Sequence, residues 1–195
     1  MNQRFYNAPL VACAALTILA GCATMQTGPH QSLTAPLVPA ALAVQPGQTL
    51  SLIANAKGVQ IYSCAPGKAG PGKYEWLLKA PDATLFDAHG QSIGKHYAGP
   101  TWESTDGSKV AGEVKASEKS SNANSIAWLL LSVKANSDAS ALSNMGNPTA
   151  GVLTKITAVQ RINTVGGMPP VDGCDLARAG KELRVPYTAD YYFYN

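Results

Sequence analysis

Apolar and polar positions alternate with a period of two in several stretches of this chain, the pattern of a strand with one covered face. Val59-Gln60-Ile61-Tyr62-Ser63-Cys64 alternates, and so do the residues from 154 to 164 and from 184 to 194. Tyr74 to Ala80 reads as a strand, and 83–86 continues it or starts another beyond Pro81. Lys109 to Val114 follows a hairpin signal at Thr105-Asp106-Gly107-Ser108. Ile126 to Val133 is a continuous apolar run, which suits a strand covered on both faces. Asp175 to Ala179 predicts one helical turn, with Asp175 as N-cap and Gly180 at its stop. With some seven short strands, frequent turns and no long amphipathic helix, the pattern predicts an all-β single domain. Its architecture is an antiparallel β-sandwich or a jelly-roll-like barrel with at most one or two short helical turns.

The opening of the chain follows a different pattern. Arg4 precedes an uncharged apolar run from Pro9 to Ala20. That run is far shorter than the ~20 residues a spanning helix needs, and it fits a signal peptide. It ends in Leu19-Ala20-Gly21-Cys22, which resembles the lipobox of bacterial lipoproteins. The resemblance implies cleavage before Cys22, lipidation of that thiol and a membrane partner reached through the lipid. Ala23 rather than Asp follows the cysteine, which is compatible with an outer-membrane address. Three segments are therefore expected: 1–21 as a lipoprotein signal peptide, 22–37 as a lipidated flexible tether, and 38–195 as the β domain. The tether is rich in Thr, Gln, Gly, Pro, Ser and Ala and spans roughly 20 Å as a coil.

Charge adds little. The chain carries 15 Lys plus Arg against 12 Asp plus Glu. Removing 1–21 takes away Arg4 alone, so 14 bases against 12 acids leave a net +2. No basic cluster stands out, and an envelope location argues against nucleic acid as a partner.

The cysteines say more. Of four, Cys13 leaves with the signal and Cys22 takes the lipid. Cys64 and Cys174 remain in an oxidising compartment, where a disulfide is the default. In the chain-entropy account, closing so long a loop contributes on the order of 4–5 kcal/mol.

The densest functional-looking chemistry lies between His89 and Asp106, read as a loop-rich stretch because of Gly94, Gly99 and Pro100. A ligand-binding reading uses Tyr97 and Trp102 as stacking platforms, with His96 and Glu103 as polar handles. Arg161 is a further candidate, as a clamp on a carboxylate that Glu103 could supply. A metal reading would use His89, His96 and Glu103, but seven-and-seven spacing matches no ligand signature, and no metal is assigned. Gly90-Gln91-Ser92-Ile93-Gly94 matches the nucleophile-elbow motif in letters only. It lacks the preceding strand and the following helix that the elbow needs. Trp76, Trp128 and Trp102 are expected in the core. So are Tyr187, Tyr191 and Phe193 with Ala189, which leaves Tyr192 and Tyr194 as an exposed aromatic patch.

An ordered set of residues resembles a known family. It comprises Tyr62-x-Cys64, Trp76, Pro81-x-Ala83-x-Leu85, Gly90 and His96-x-x-Gly99-Pro100-x-Trp102-Glu103. It continues with Asp106-Gly107-Ser108, Trp128-Leu129-Leu130 and Gln160-Arg161-x-x-Thr164-x-Gly166-Gly167-x-Pro169. Cys174 and Tyr187-x-Ala189-x-Tyr191-x-Phe193 close it. This resembles the DUF3455 domain family of secreted bacterial and fungal proteins, over about 38–195. The resemblance implies the domain boundary and export, and supplies no catalytic residue and no cofactor. The sequence thus reads as an exported, lipid-anchored binding module for a small molecule, a glycan or an envelope partner. The alternatives are a hydrolase or metal-assisted enzyme centred on His96 and Glu103, and a structural envelope protein.

Overall fold

The computed structural model describes Met1 and residues 33–68, 70, 72–137 and 151–195. The signal-peptide, lipidation and most of the tether expectations, Cys13 and Cys22 included, lie outside the described residues. All eight described strands belong to the compact unit Leu33–Asn195. They are β1 (Leu50–Pro66), β2 (Tyr74–Phe86), β3 (Ser92–Tyr97), β4 (Thr101–Ser104), β5 (Lys109–Glu118), β6 (Trp128–Ser137), β7 (Ala158–Gly166) and β8 (Glu182–Tyr194).

The all-β, antiparallel class is as the alternation predicted. The sheet closes into a barrel in which each strand lies beside its neighbours in sequence, and β1 pairs with both β2 and β8. Closure gives every strand a neighbour on each side. The helical content among the described residues is two 3-10 turns, at Ala40–Leu42 and Leu176–Arg178. In the second, the Asp175 side chain accepts a hydrogen bond from the Arg178 amide, the expected N-cap. Cys64 and Cys174 form a disulfide with Cα atoms 5.4 Å apart, tying the end of β1 to the segment before this turn.

Pro81 does not end β2. The strand runs through it, and the register slips nearby, where Ile61 faces Ala80 and Tyr62 faces Leu78. Lys79 is the extra residue of this bulge, which accommodates a proline that has no N–H to give.

The larger departure is at 92–104. The stretch read as loop forms the β3–β4 hairpin, turning over Ala98 to Pro100. Gly94 sits within β3 because only a glycine fits there. A Cβ on it would lie 2.3 Å from the Glu103 carbonyl oxygen. Here glycine marks a close backbone approach and not the end of a strand.

Small and large side chains alternate around the interior. Ala54 and Ala56 of β1 face inward, with Tyr191 and Ala189 as their partners on β8. The core gathers Trp102, Tyr187, Tyr191 and Phe193, and Leu153 and Ile156 join it from the segment ahead of β7. The turn after β4 holds that segment. Asp106 Oδ2 accepts from the Val152 amide at 2.7 Å, and Ser108 Oγ accepts from the Leu153 amide at 3.1 Å.

Outside the barrel, a second apolar layer forms. The Gln160 side-chain amide donates to the Leu42 carbonyl at 2.7 Å, and Tyr194 OH donates to Gln160 Oε1 at 2.7 Å. Leu42, Gln160, Ile162 and Tyr194 are all buried. Tyr194 is therefore not part of an exposed aromatic patch, because residues ahead of β1 cover that face. Trp102 is the core tryptophan. Trp76 and Trp128 are only partly buried, and the Trp76 indole donates to the Asp172 carbonyl at 3.1 Å.

Candidate functional site

Strand alternation divides the predicted site residues between two faces. In β3 and β4, His96 pairs with Trp102 and Tyr97 pairs with Thr101. Successive side chains point to opposite sides of a strand. His96 and Trp102 therefore face the barrel interior, at 2% and 1% exposure, while Tyr97 and Glu103 face outward.

On the outer face, Tyr97 OH donates to Glu103 Oε2 at 2.7 Å. Lys109 Nζ lies 3.1 Å from the same oxygen, and Lys95 Nζ lies 3.5 Å from Oε1. Lys95 also stands 5.6 Å above the Tyr97 ring. The Tyr97 hydroxyl, with help from the two lysines, holds the Glu103 carboxyl below its ordinary value. Burial, with Glu103 beside it, pushes the Tyr97 hydroxyl up to about 12. All the partners are satisfied, and the group is a surface ion network. Arg161 is not its partner.

Arg161 instead faces inward from β7, where its Nε and Nη2 donate to the Ala127 carbonyl at 3.1 and 2.8 Å. It lines an interior cavity of about 410 Å³ together with His96 and Trp102. Every strand of the barrel contributes at least one residue to the wall. Leu129, Leu131 and Tyr191 supply apolar surface, and Pro100 lines the wall at the β3–β4 turn. An eight-stranded barrel is just wide enough to be filled by side chains or to hold one small ligand. Here Leu153, Ile156 and Phe193 belong to the packed core, while the cavity takes up interior beside it.

Three of the five predicted ligand residues thus share one concave surface: His96, Trp102 and Arg161. Tyr97 and Glu103 do not. His89 lies in an exposed turn, so His89, His96 and Glu103 do not converge on a metal. Ser92 heads β3, with strand and not helix after it, as the failed elbow motif implied.

The polar chemistry of the cavity is unusual for a core. His96 Nδ1 lies 2.9 Å from the Thr101 carbonyl, which only accepts, so the proton is on Nδ1 and Nε2 keeps its lone pair. Burial pushes the His96 pKa down to about 3. The Thr101 bond works against this, and the Arg161 charge adds to it. Burial also raises Tyr191. Two buried side-chain nitrogens in the wall, Gln60 Nε2 and Trp102 Nε1, have no hydrogen-bond acceptor. Gln60 was missed at the sequence level. It alternates with Val59 and Ile61, and the buried residues of that stretch are Gln60, Tyr62 and Cys64, joined on β1 by Ala54 and Ala56. The signal was present in Cys64, which shares a face with Gln60 and forms the disulfide.

No curated protein and no solved structure matches this chain. Residues 45–195 match a family described as Protein of unknown function (DUF3455). The match takes in all eight strands and every residue of the cavity wall, and on that extent the chain belongs to the DUF3455 family.

Proposed function

We propose that this domain is a binding module that holds a small molecule inside its barrel. The observation that carries the reading is the cavity of about 410 Å³, with mainly apolar walls and a few polar groups converging on it. Its size and character match ordinary small-ligand sites. The unpartnered donors of Gln60 and Trp102 favour it over a purely structural role, since buried donors without acceptors are costly. A small molecule is favoured over a glycan, because Trp102 is covered by the His96 ring and offers no open face to a sugar. The enzyme alternative loses its centre, since His96 and Glu103 point to opposite sides of one sheet. The test is NMR with a fragment library, reading the indole N–H signals of the three tryptophans. Binding shifts the Trp102 signal and raises the melting temperature. Fragments that shift only Trp76 or outer-face residues count against the reading.

The proposal includes place as well as chemistry: export, cleavage before Cys22 and a lipid anchor. Its support is the apolar run ending in Leu19-Ala20-Gly21-Cys22. The Cys64–Cys174 disulfide is compatible with an oxidising compartment. Mass spectrometry of membrane-extracted protein should find a diacylglyceryl group on an N-terminal Cys22. A soluble, unmodified protein starting elsewhere contradicts it.

A further inference from the structure

We infer that the cavity recognises its ligand through a carboxylate, so that the natural occupant is a small monoanion with an apolar body. This rests on the reading of the cavity as a binding site and names the class of molecule that fits it.

The cavity is a site with donors and no counter-charge. Arg161 brings a permanently charged guanidinium, with five N–H donors, into a largely apolar interior. Two of those donors go to the Ala127 carbonyl, and Tyr191 lies close enough to share a hydrogen bond. Among the described residues, no Asp or Glu forms an ion pair with Arg161. The groups that feel its charge are Tyr62, His96, Tyr187 and Tyr191, all neutral at ordinary pH. Arg161 is half-buried, and a charge held against an apolar wall is costly to leave without a counter-ion.

Gln60 provides the second, independent observation. It is 1% exposed and lines the same cavity, and its Nε2 has no acceptor. A group that only accepts hydrogen bonds would satisfy both residues. An ionised carboxylate is such a group, with about four lone-pair sites in a plane that matches the guanidinium fork. Lys79 also lines the cavity but is paired with Glu182, which leaves the Arg161 charge to balance one negative charge and favours a carboxylate over a doubly charged phosphate.

The rest of the molecule is set by the wall. Leu78 and Val114 line the cavity yet are 57% and 49% exposed. With Leu129 and Pro100 they form an apolar lip, which suits a hydrocarbon or aromatic body and not a second charge.

The test compares three near-isosteric probes on the full chain by isothermal calorimetry at pH 7: 4-phenylbutanoate, 4-phenylbutan-1-ol and 4-phenylbutylamine. The carboxylate is expected to bind at least about tenfold more tightly than the alcohol, and the amine weakest of all. Arg161→Gln should erase the carboxylate's advantage over the alcohol, while Arg161→Lys should retain part of it. The comparison of probes on the unaltered protein stands even if a variant fails to fold. Equal binding of carboxylate and alcohol, or a preference that survives in a folded Arg161→Gln, overturns the inference while the cavity reading stands. Failure of all three probes to bind overturns both.

Discussion

The imidazole of His96 lies flat on the indole of Trp102, with ring centroids 4.6 Å apart and planes 13° from parallel. The two residues are cross-strand partners in the β3–β4 hairpin, and Tyr191 closes on both rings at 5.0 and 5.4 Å. The stack is the inner wall of the hairpin, so His96, read from the sequence as a polar handle, packs on Trp102, a residue expected in the core.

Stability should therefore depend on pH through His96. Its folded pKa of about 3 lies below the ordinary 6.5, so the unfolded chain binds the proton first. The contribution is complete above pH 6.5 and is lost as pH falls from there towards 3, at up to about 1.4 kcal/mol per unit. Glu103 and Asp106, whose carboxyls are held below their usual values, lose stability only in the more acid range. Urea unfolding between pH 6.5 and 5 isolates the histidine. His96→Phe keeps the stack and should flatten the slope in that window. An unchanged slope would show that His96 is not held neutral by the fold.

The outer-face pair should matter little. Glu103→Gln and Tyr97→Phe each remove a hydrogen bond in a partly solvated ion network. Each should cost less than about 1 kcal/mol in urea unfolding. His96→Ala should cost more, about 2–4 kcal/mol, because it empties space beside Trp102 and strands the Thr101 carbonyl. The reverse order would mean that the network, and not the stack, holds the hairpin.

Gly112 bears on the same stack from β5. A Cβ there would stand 2.9 Å from the Trp102 ring and 3.2 Å from Leu131. Gly112→Ala should push the indole aside and cost about 1–3 kcal/mol, read as a lower urea midpoint and a shifted Trp102 indole signal. Wild-type stability and spectrum in that variant would show that the ring has room to move.

The disulfide should hold one end of the barrel without defining the fold. Cys64 also bonds through its backbone, its N–H to the Lys181 carbonyl and its carbonyl to the Gly180 N–H. Replacing both cysteines by Ala should lower stability by about 2–4 kcal/mol while the far-UV β signature persists. Loss of that signature would mean that the closed sheet depends on the bond.

Much of this was legible in the sequence, and the exceptions share a physical cause. The Asp106-Gly107 turn, the Asp175 cap, the Cys64–Cys174 pair and the inward face of β8 are local or follow from elimination. The sequence gives no local sign of close contact between distant backbones, so Gly94 looked like a breaker when it was making room for Glu103. A cover supplied by a remote segment is equally invisible. The Leu42 carbonyl holds the Gln160 amide, and with both faces of β7 covered, alternation alone does not say that Arg161 turns inward. Nor does sequence spacing reveal that His96 and Glu103, seven residues apart, fall on opposite faces. The hairpin turn between them, over Ala98 to Pro100, sets that relation.

The central claim is that the barrel interior admits a small molecule, and a neutral probe tests it apart from any question of charge. Val114 stands half-exposed at the lip of the cavity, where a larger ring would block the opening without disturbing the core. Fluorescence titration with 2-(naphthalen-1-yl)ethanol should give saturable one-to-one binding to the native protein. Binding to a Val114→Trp variant of unchanged melting temperature should be at least about tenfold weaker, a difference of roughly 1.4 kcal/mol. Equal binding to both proteins, or a signal that never saturates, would contradict the claim.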